Sequence, residues 1–293
     1  MTMSTVRIGH YDIQKIVELE RPFAHAQTFF PDLTDEMLAT CRRDLPPGRL
    51  TADDFLAMSY HTFVVRTERH TILVDTSCGN GKDRRERPEF DRLNTDFLGT
   101  LAQAGVRPEQ VDFVMCTHLH WDHVGWNTVH RNGEWVPTFP NAKHIVARKE
   151  YEFWDAAYAR GDKGVHVRSF EDSVLPIKRA EQIVIVDEHY QFEGGMSFEP
   201  CEGHSPGHIV INLVSQGARD MLTGDVIHHP IQLRFPEMST SADTDRDRAR
   251  QTRTALIERL AGSGTLLLPT HFMTPTVGRI EAAAAGFRYD PVA

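Results

Sequence analysis

The run Thr117-His118-Leu119-His120-Trp121-Asp122-His123-Val124-Gly125 places three imidazoles and a carboxylate within six residues. Imidazole nitrogen and carboxylate oxygen are the donors that suit zinc and its first-row neighbours. Such a cluster is a poor choice for an apolar core and unnecessary for a surface loop. It follows the apolar run 111–116 (VDFVMC), which reads as a strand, and strand alternation turns His118 and His120 to one side. The turn beyond can swing Asp122 and His123 toward a second ion. One motif holds only part of two ions, and three later positions offer the rest: His204 in a Gly/Pro loop, Asp225 after Leu222-Thr223-Gly224, and His271 after Leu268-Pro269-Thr270. Each stands where a strand ends and a loop begins, the usual place for binding groups in open sheets.

The elements that must carry these residues are short β-rich runs alternating with helical ones. Strands are expected over 7–17, 60–67, 71–75, 111–116, 144–147, 183–186, 197–201, 208–215, 220–223 and 265–268, and helices over 34–43, 95–104, 148–160, 243–261 and 279–285. Thr34 and Asp243 are the expected N-caps, and Gly105 and Gly262 the expected stops. The chain is read as one domain over 1–293. Residues 20–57, with Pro22, Pro31, Pro46 and Pro47, read as an arm laid over the core. An arm of this kind suits a pocket wall, a subunit contact in a homodimer, or plain surface packing.

Composition narrows the partners. The 293 residues are 40% hydrophobic and carry a formal net charge of −9, which argues against a nucleic-acid partner. The stretch 82–92 (KDRRERPEFDR) nearly cancels its own charge and reads as a solvated loop. No apolar run approaches the ~18 residues of a membrane span, and no secretory h-region is visible. Cys41, Cys78, Cys116 and Cys201 are widely spaced, which favours reduced thiols in a cytoplasmic setting.

These residues together resemble the metallo-β-lactamase superfamily, whose motifs occur in order: Asp75 in Leu73-Val74-Asp75-Thr76, the His118/His120/Asp122/His123 cluster, His204, Asp225 and His271, spanning roughly residues 60–275. The resemblance implies an α+β fold, an αβ/βα sandwich of two mixed β-sheets flanked by helices. It implies two divalent ions, zinc first, with manganese, iron or cobalt accepted by the same ligands. His118, His120 and His204 would hold one ion, Asp122, His123 and His271 the other, and Asp225 would bridge them. Asp75 would orient ligands rather than bind metal. The second set contains no cysteine, unlike the zinc β-lactamases that use one, and it keeps His120 where flavodiiron relatives place Glu, which argues against a redox role.

Two divalent ions ~3.5–4 Å apart bring a bridging water to near-neutral pKa and polarise a substrate oxygen. The chain has no G-x-S-x-G elbow and no Gly-rich phosphate cradle. It resembles acyl-homoserine lactonases in length and in the aromatic Trp121, expected at the pocket mouth. The segment Gly224-Asp225-Val226-Ile227-His228-His229-Pro230 is closer to methyl parathion hydrolase-like members. His228 stands where those lactonases place a carbonyl-contacting tyrosine. The expected activity is opening of a lactone or ester with an apolar acyl or aryl part, with Asp122, Asp225 and His228 as catalytic residues. The alternative is an organophosphate (phosphotriester) hydrolase. A metal-binding or sulfur-handling oxidase relative is a further class, and RNase Z-like processing is disfavoured by the acidic balance. Phe23, Phe29, Phe30, Trp126, Phe139, Trp154 and Phe272 are candidates for an apolar wall or for core packing, and His10, His25, His61, His70, His130, His144, His166 and His189 read as ordinary residues.

Overall fold

A computed structural model describes residues 5–292. The chain divides into two compact units, one of Met1–Leu19 with Tyr60–Gly194, the other of Glu20–Ser59 with Gly195–Ala293.

The first unit is organised by a mixed seven-stranded sheet in the order β1-β2-β3-β4-β5-β8-β9. Its strands are β1 (Thr5–Ile8), β2 (Tyr11–His25), β3 (Phe55–Arg66), β4 (Thr71–Val74), β5 (Phe113–Met115), β8 (Lys143–Ala147) and β9 (Ile183–Val186), while β6 (Thr128–Arg131) and β7 (Glu134–Pro137) form a separate hairpin. β2 and β3 extend past the boundary into residues of the second unit. The strand expected at 7–17 is two strands, because Gly9 (φ 55°) and His10 make a two-residue turn that pairs Ile8 with Tyr11. β4, β5, β8 and β9 are parallel neighbours, with Ile72 opposite Phe113 and Phe113 opposite Lys143. Strands in such a position are covered on both faces, so Ile72, Leu73 and Val74 and the run FVM are apolar without alternation. Val64, Leu73, Val114, Leu119 and Trp126 belong to the core of this unit.

The second unit carries a mixed six-stranded sheet in sequential order: β10 (Met196–Pro200), β11 (Ile209–Ser215), β12 (Ala218–Gly224), β13 (Leu267–Pro269), β14 (Gly278–Ala282) and β15 (Phe287–Pro291). β12 and β13 are parallel and the other pairs antiparallel. The core of this unit includes Val210, Met221, Leu256, Leu267 and Ile280. Residues 26–29 and 35–44 are helical, so the 20–57 segment is ordered structure within this unit. Thr34 caps the helix Asp35–Asp44 by accepting from Met37 N at 3.2 Å, as expected.

Several expectations need correction. The helix expected at 279–285 is the strand β14 and its turn. Its alanine run favours a helix locally, but Ile280 lies fully buried in the core between less buried neighbours, a period of two, and Gly286 (φ 71°) turns the chain into β15. The helix Arg246–Leu260 is capped by Asp245, which accepts from Arg248 N at 2.9 Å, and not by Asp243. The stretch 82–92 is not simply solvated: Lys82 and Arg84 are buried. Arg84 makes a two-pronged bond to Asp172 at 2.7 and 3.0 Å, and Lys82 lies 3.5 Å from the same carboxylate and 3.5 Å from the centre of the Trp135 ring. Pairing on Asp172 is what permits this burial. Burial moves the Lys82 pKa down to about 7. All four cysteines are buried free thiols. No helix among the described residues is long and apolar enough to cross a membrane.

Candidate functional site

In the first unit the loop after β5 holds the histidine cluster. Asp75, just past β4, anchors its start: its carboxylate accepts from Thr117 N and Thr117 Oγ1, both at 2.8 Å, and lies 2.9 Å from His123 Nδ1. Thr117 Oγ1 is 3.1 Å from His118 Nδ1. The loop closes on itself through His123 N to His120 O at 3.0 Å. The chain has left the sheet by this point, yet His118 and His120 still meet edge-on with ring centres 4.5 Å apart, and His118 and His123 stand at 3.9 Å. A His118 nitrogen lies within 4.8 Å of one from His120 and one from His123, and an Asp122 oxygen within 4.8 Å of a His123 nitrogen. The three histidines are buried and Asp122 is half-buried.

Gly125 ends this loop for a steric reason. A Cβ there would sit 1.8 Å from the carbonyl oxygen of Cys78, a contact that only glycine avoids. The close approach lets Gly125 N bond Ser77 O at 2.7 Å and Trp126 N bond Thr76 O at 2.9 Å.

In the second unit three histidines converge on one carboxylate. Asp225 follows β12, and its backbone N donates to His208 Nε2 at 3.0 Å. Its Oδ2 lies 3.3 Å from His204 Nε2, 3.2 Å from His228 Nε2 and 3.2 Å from His271 Nε2. All four residues are buried. The approach of His271 has hydrogen-bond geometry, whereas those of His204 and His228 are close contacts without it. His204 Nδ1 is 3.0 Å from Asp243 Oδ1, and His271 Nδ1 is 3.2 Å from Ser59 O. Burial alone would raise the Asp243 pKa, but the hydrogen bond and charge of His204, with His228 and Arg253, bring it down to about 2. One atom each of His204, His228 and Asp243 lie within 4.8 Å of one another.

Both groups fit a divalent metal by the chemistry of their donors, which are imidazole and carboxylate only. In His118, His123, His204 and His271 a protein oxygen stands beside Nδ1, the arrangement that fixes an imidazole and presents Nε2 as a ligand. His228 differs: its Nδ1 is buried with no hydrogen-bond partner among the described residues. Burial pushes the His228 pKa down, so the ring is neutral near pH 7.

Sequence reasoning missed three supporting residues. Asp243, taken for a helix cap, faces His204 instead. Its other oxygen accepts from Thr240 N at 2.8 Å, which turns the carboxylate away from the helix. Glu150 accepts from Leu119 N at 3.0 Å and from Trp154 Nε1 at 2.8 Å, so it fixes the middle of the histidine loop. Nothing in RKEYEF distinguishes it from an ordinary helix glutamate. His166, read as ordinary, lies against His120 with ring centres 3.9 Å apart and the planes tilted by 36°. Trp121, expected at a pocket mouth, is packed among aromatic rings. It is buried, with Phe90 at 4.9 Å and Tyr60 at 6.1 Å, because an indole gains more from that aromatic packing than from water.

Residues 57–271 match the family model for the metallo-beta-lactamase superfamily. An N-acyl homoserine lactonase of Bacillus cereus is 27% identical over 174 residues, 54% of this chain and 60% of that protein. The chain thus aligns with about 60% of the length of such curated relatives. Among solved structures, the hydrolase AbOPH of the beta lactamase superfamily matches with a TM-score of 0.81 and 23% identity, covering 99% of this chain and 97% of that one. AidC, a dizinc quorum-quenching lactonase in complex with a homoserine product, matches with a TM-score of 0.81, 21% identity and the same coverage. At these identities the two structures speak for the fold.

Proposed function

The chain belongs to the metallo-beta-lactamase superfamily, and from that premise we propose that it is a dinuclear metal-dependent hydrolase that opens a lactone or carboxylic ester in the manner of N-acyl-homoserine lactonases. The observation that carries the reading is the meeting of three buried imidazole Nε2 atoms at Asp225 Oδ2. An imidazole–carboxylate array of this kind, with Nδ1 of His204 and His271 already engaged, is what a metal ligand set requires. In this proposal His118, His120 and His204 would hold one ion, Asp122, His123 and His271 would hold the second, and Asp225 would serve as a ligand with them. When bound, the ions supply Lewis acidity and an activated water at neutral pH.

The chain's own residues do the rest. Asp75, Asp243 and Ser59 hold the imidazoles that face them. His228 acts on substrate: its unengaged Nδ1 donates to the scissile carbonyl oxygen or gives a proton to the departing alkoxide, help typically worth 10²–10⁴-fold. Phe29 stands edge-on to His228 at 5.4 Å, with Phe23 at 5.3 Å and Phe30 at 5.1 Å from it. These rings favour an apolar acyl or aryl group beside the histidine. The N-acyl homoserine lactonase from Bacillus cereus supports the same substrate class.

The test is metal analysis of gently purified protein, followed by assay against acyl-homoserine lactones, aryl esters and methyl parathion. Close to two metal equivalents and turnover of lactones or esters are expected. Turnover of methyl parathion alone would replace the ester reading with a phosphotriester one, and a metal-free protein with full activity would overturn both.

A further inference from the structure

The second unit contains a cleft of about 460 Å³, within the range of small-molecule sites, that the hydrolase reading does not use. Its wall is built by the helix Asp35–Asp44, the segment after it, and the β14–β15 hairpin. Leu45 and Phe287 give it an apolar lining. The hairpin turn contributes Ala283, Ala284 and Ala285, whose small side chains leave the cleft open.

The charges around it are lopsided. Arg49, Arg234 and Arg288 line the cleft against a single acid, Asp44. In a chain of net charge −9 this is a local reversal of sign. Arg234 lies 3.7 Å from Asp44, and Arg288 lies 3.6 Å from Asp290. Arg49 is half-buried; among the described residues the carboxylate whose charge reaches it is Glu20, and the cost of burial outweighs that attraction. A guanidinium stays charged even when burial disfavours it, and its fork of donors matches a carboxylate. A partly buried cation whose desolvation outweighs its compensation, set against apolar walls, is an arrangement that an anion with an apolar tail relieves.

We propose that this cleft binds an amphipathic monocarboxylate, its carboxylate on Arg49 and its alkyl or aryl part against Leu45 and Phe287. The cleft adjoins the histidine group along the chain: Arg49 O is 2.9 Å from His229 Nε2, and His229 is the neighbour of His228. Pro230, which lines the cleft, follows directly. The acids released by ester or lactone opening belong to the same chemical class; that clause alone rests on the hydrolase reading, and the binding itself does not.

Titration calorimetry of the metal-loaded protein with octanoate, and with octanamide as its neutral counterpart, tests the assignment. The wild type should bind one octanoate, with octanamide at least tenfold weaker. Arg49→Met, which keeps the bulk and removes the charge, should lower octanoate affinity at least tenfold while leaving octanamide unchanged and ester turnover intact. Ala284→Trp, at an exposed turn position, should fill the cleft and weaken both ligands. Octanoate binding of equal strength in the wild type and both variants would place it elsewhere, at the metals for example, and overturn the proposal. Absence of saturable binding to a folded wild type would also overturn it. A protein that binds octanoate at Arg49 yet turns over neither lactone nor ester would refute the hydrolase reading alone.

Discussion

Replacing Asp243 by asparagine removes one negative charge and one of two acceptors. Asparagine keeps a single oxygen, which can serve His204 Nδ1 or Thr240 N but not both. Lost with that acceptor is a charge that the structure shows to be favourably placed. The Asp243 carboxyl sits at about 2 instead of the ordinary 3.8, because His204 and, further out, His228 and Arg253 outweigh the cost of burying it. That difference corresponds to about 2 kcal/mol of folding stability at neutral pH. A carboxyl whose folded pKa is depressed contributes in full above its unfolded pKa and loses the contribution as pH falls toward the folded one. Asp243→Asn should therefore cost about 2 kcal/mol in urea unfolding of metal-stripped protein at pH 7, and the gap should narrow as pH is lowered from 4 toward 2. The same change weakens the hold on a ligand imidazole, so metal affinity should fall ~10–100-fold in competition with a chromophoric chelator. An Asp243→Asn protein as stable as the wild type at pH 7, with undiminished metal affinity, would refute the role given to this carboxylate.

Other outcomes follow from the same geometry. His120→Ala and Asp225→Ala should abolish hydrolysis and lower the metal content while far-ultraviolet circular dichroism stays native, since both residues lie in loops beyond strand ends; near-normal turnover at saturating metal would remove the residue concerned from the ligand set. His228→Ala should retain both metals and lower kcat for an alkyl lactone by ~10²–10⁴-fold, with a smaller loss for an aryl ester whose leaving group needs no proton. Equal, small effects on both substrates would take His228 out of the chemistry. His144, in β8, is fully buried and its pKa is pushed by burial down to about 3. The unfolded chain binds a proton here that the folded chain refuses, so stability should fall as pH drops from ~6.5 toward 3. His144→Leu should flatten that part of the pH profile, and an unchanged slope would count against it.

How much of this could be read in the sequence depends on the range of the interaction. The histidine cluster, the later His204, Asp225 and His271, and most strand positions were legible because each rests on local spacing or on a short apolar run. The Gly9-His10 turn was equally local but was passed over, since the residues on both sides share one strand pattern. Asn132-Gly133, with both φ angles positive, likewise marks the turn of the β6–β7 hairpin that went unread. The partners of the histidines were not legible. Asp243 stands 39 residues from His204, and Glu150 stands 31 from Leu119. Only the folded chain brings those pairs together. The buried Arg84 was hidden for the same reason: its counter-ion, Asp172, is 88 residues away. Alanine propensity misled at 279–285 because the core, by taking Ile280, decided the conformation there.

The burial of all four thiols has a consequence for how the molecule withstands its surroundings. Burial drives the pKa of Cys41 up to about 11 and that of Cys201 to about 12, and raises Cys78 and Cys116 as well. Peroxide and alkylating agents react with the exposed thiolate, which this chain scarcely offers. No cysteine stands among the proposed donors either, so oxidation has no sulfur ligand to destroy. Native protein should therefore survive peroxide and iodoacetamide with its metals in place and its thiols uncounted by Ellman's reagent until it is unfolded, a chemical hardiness that a cysteine-liganded centre does not share.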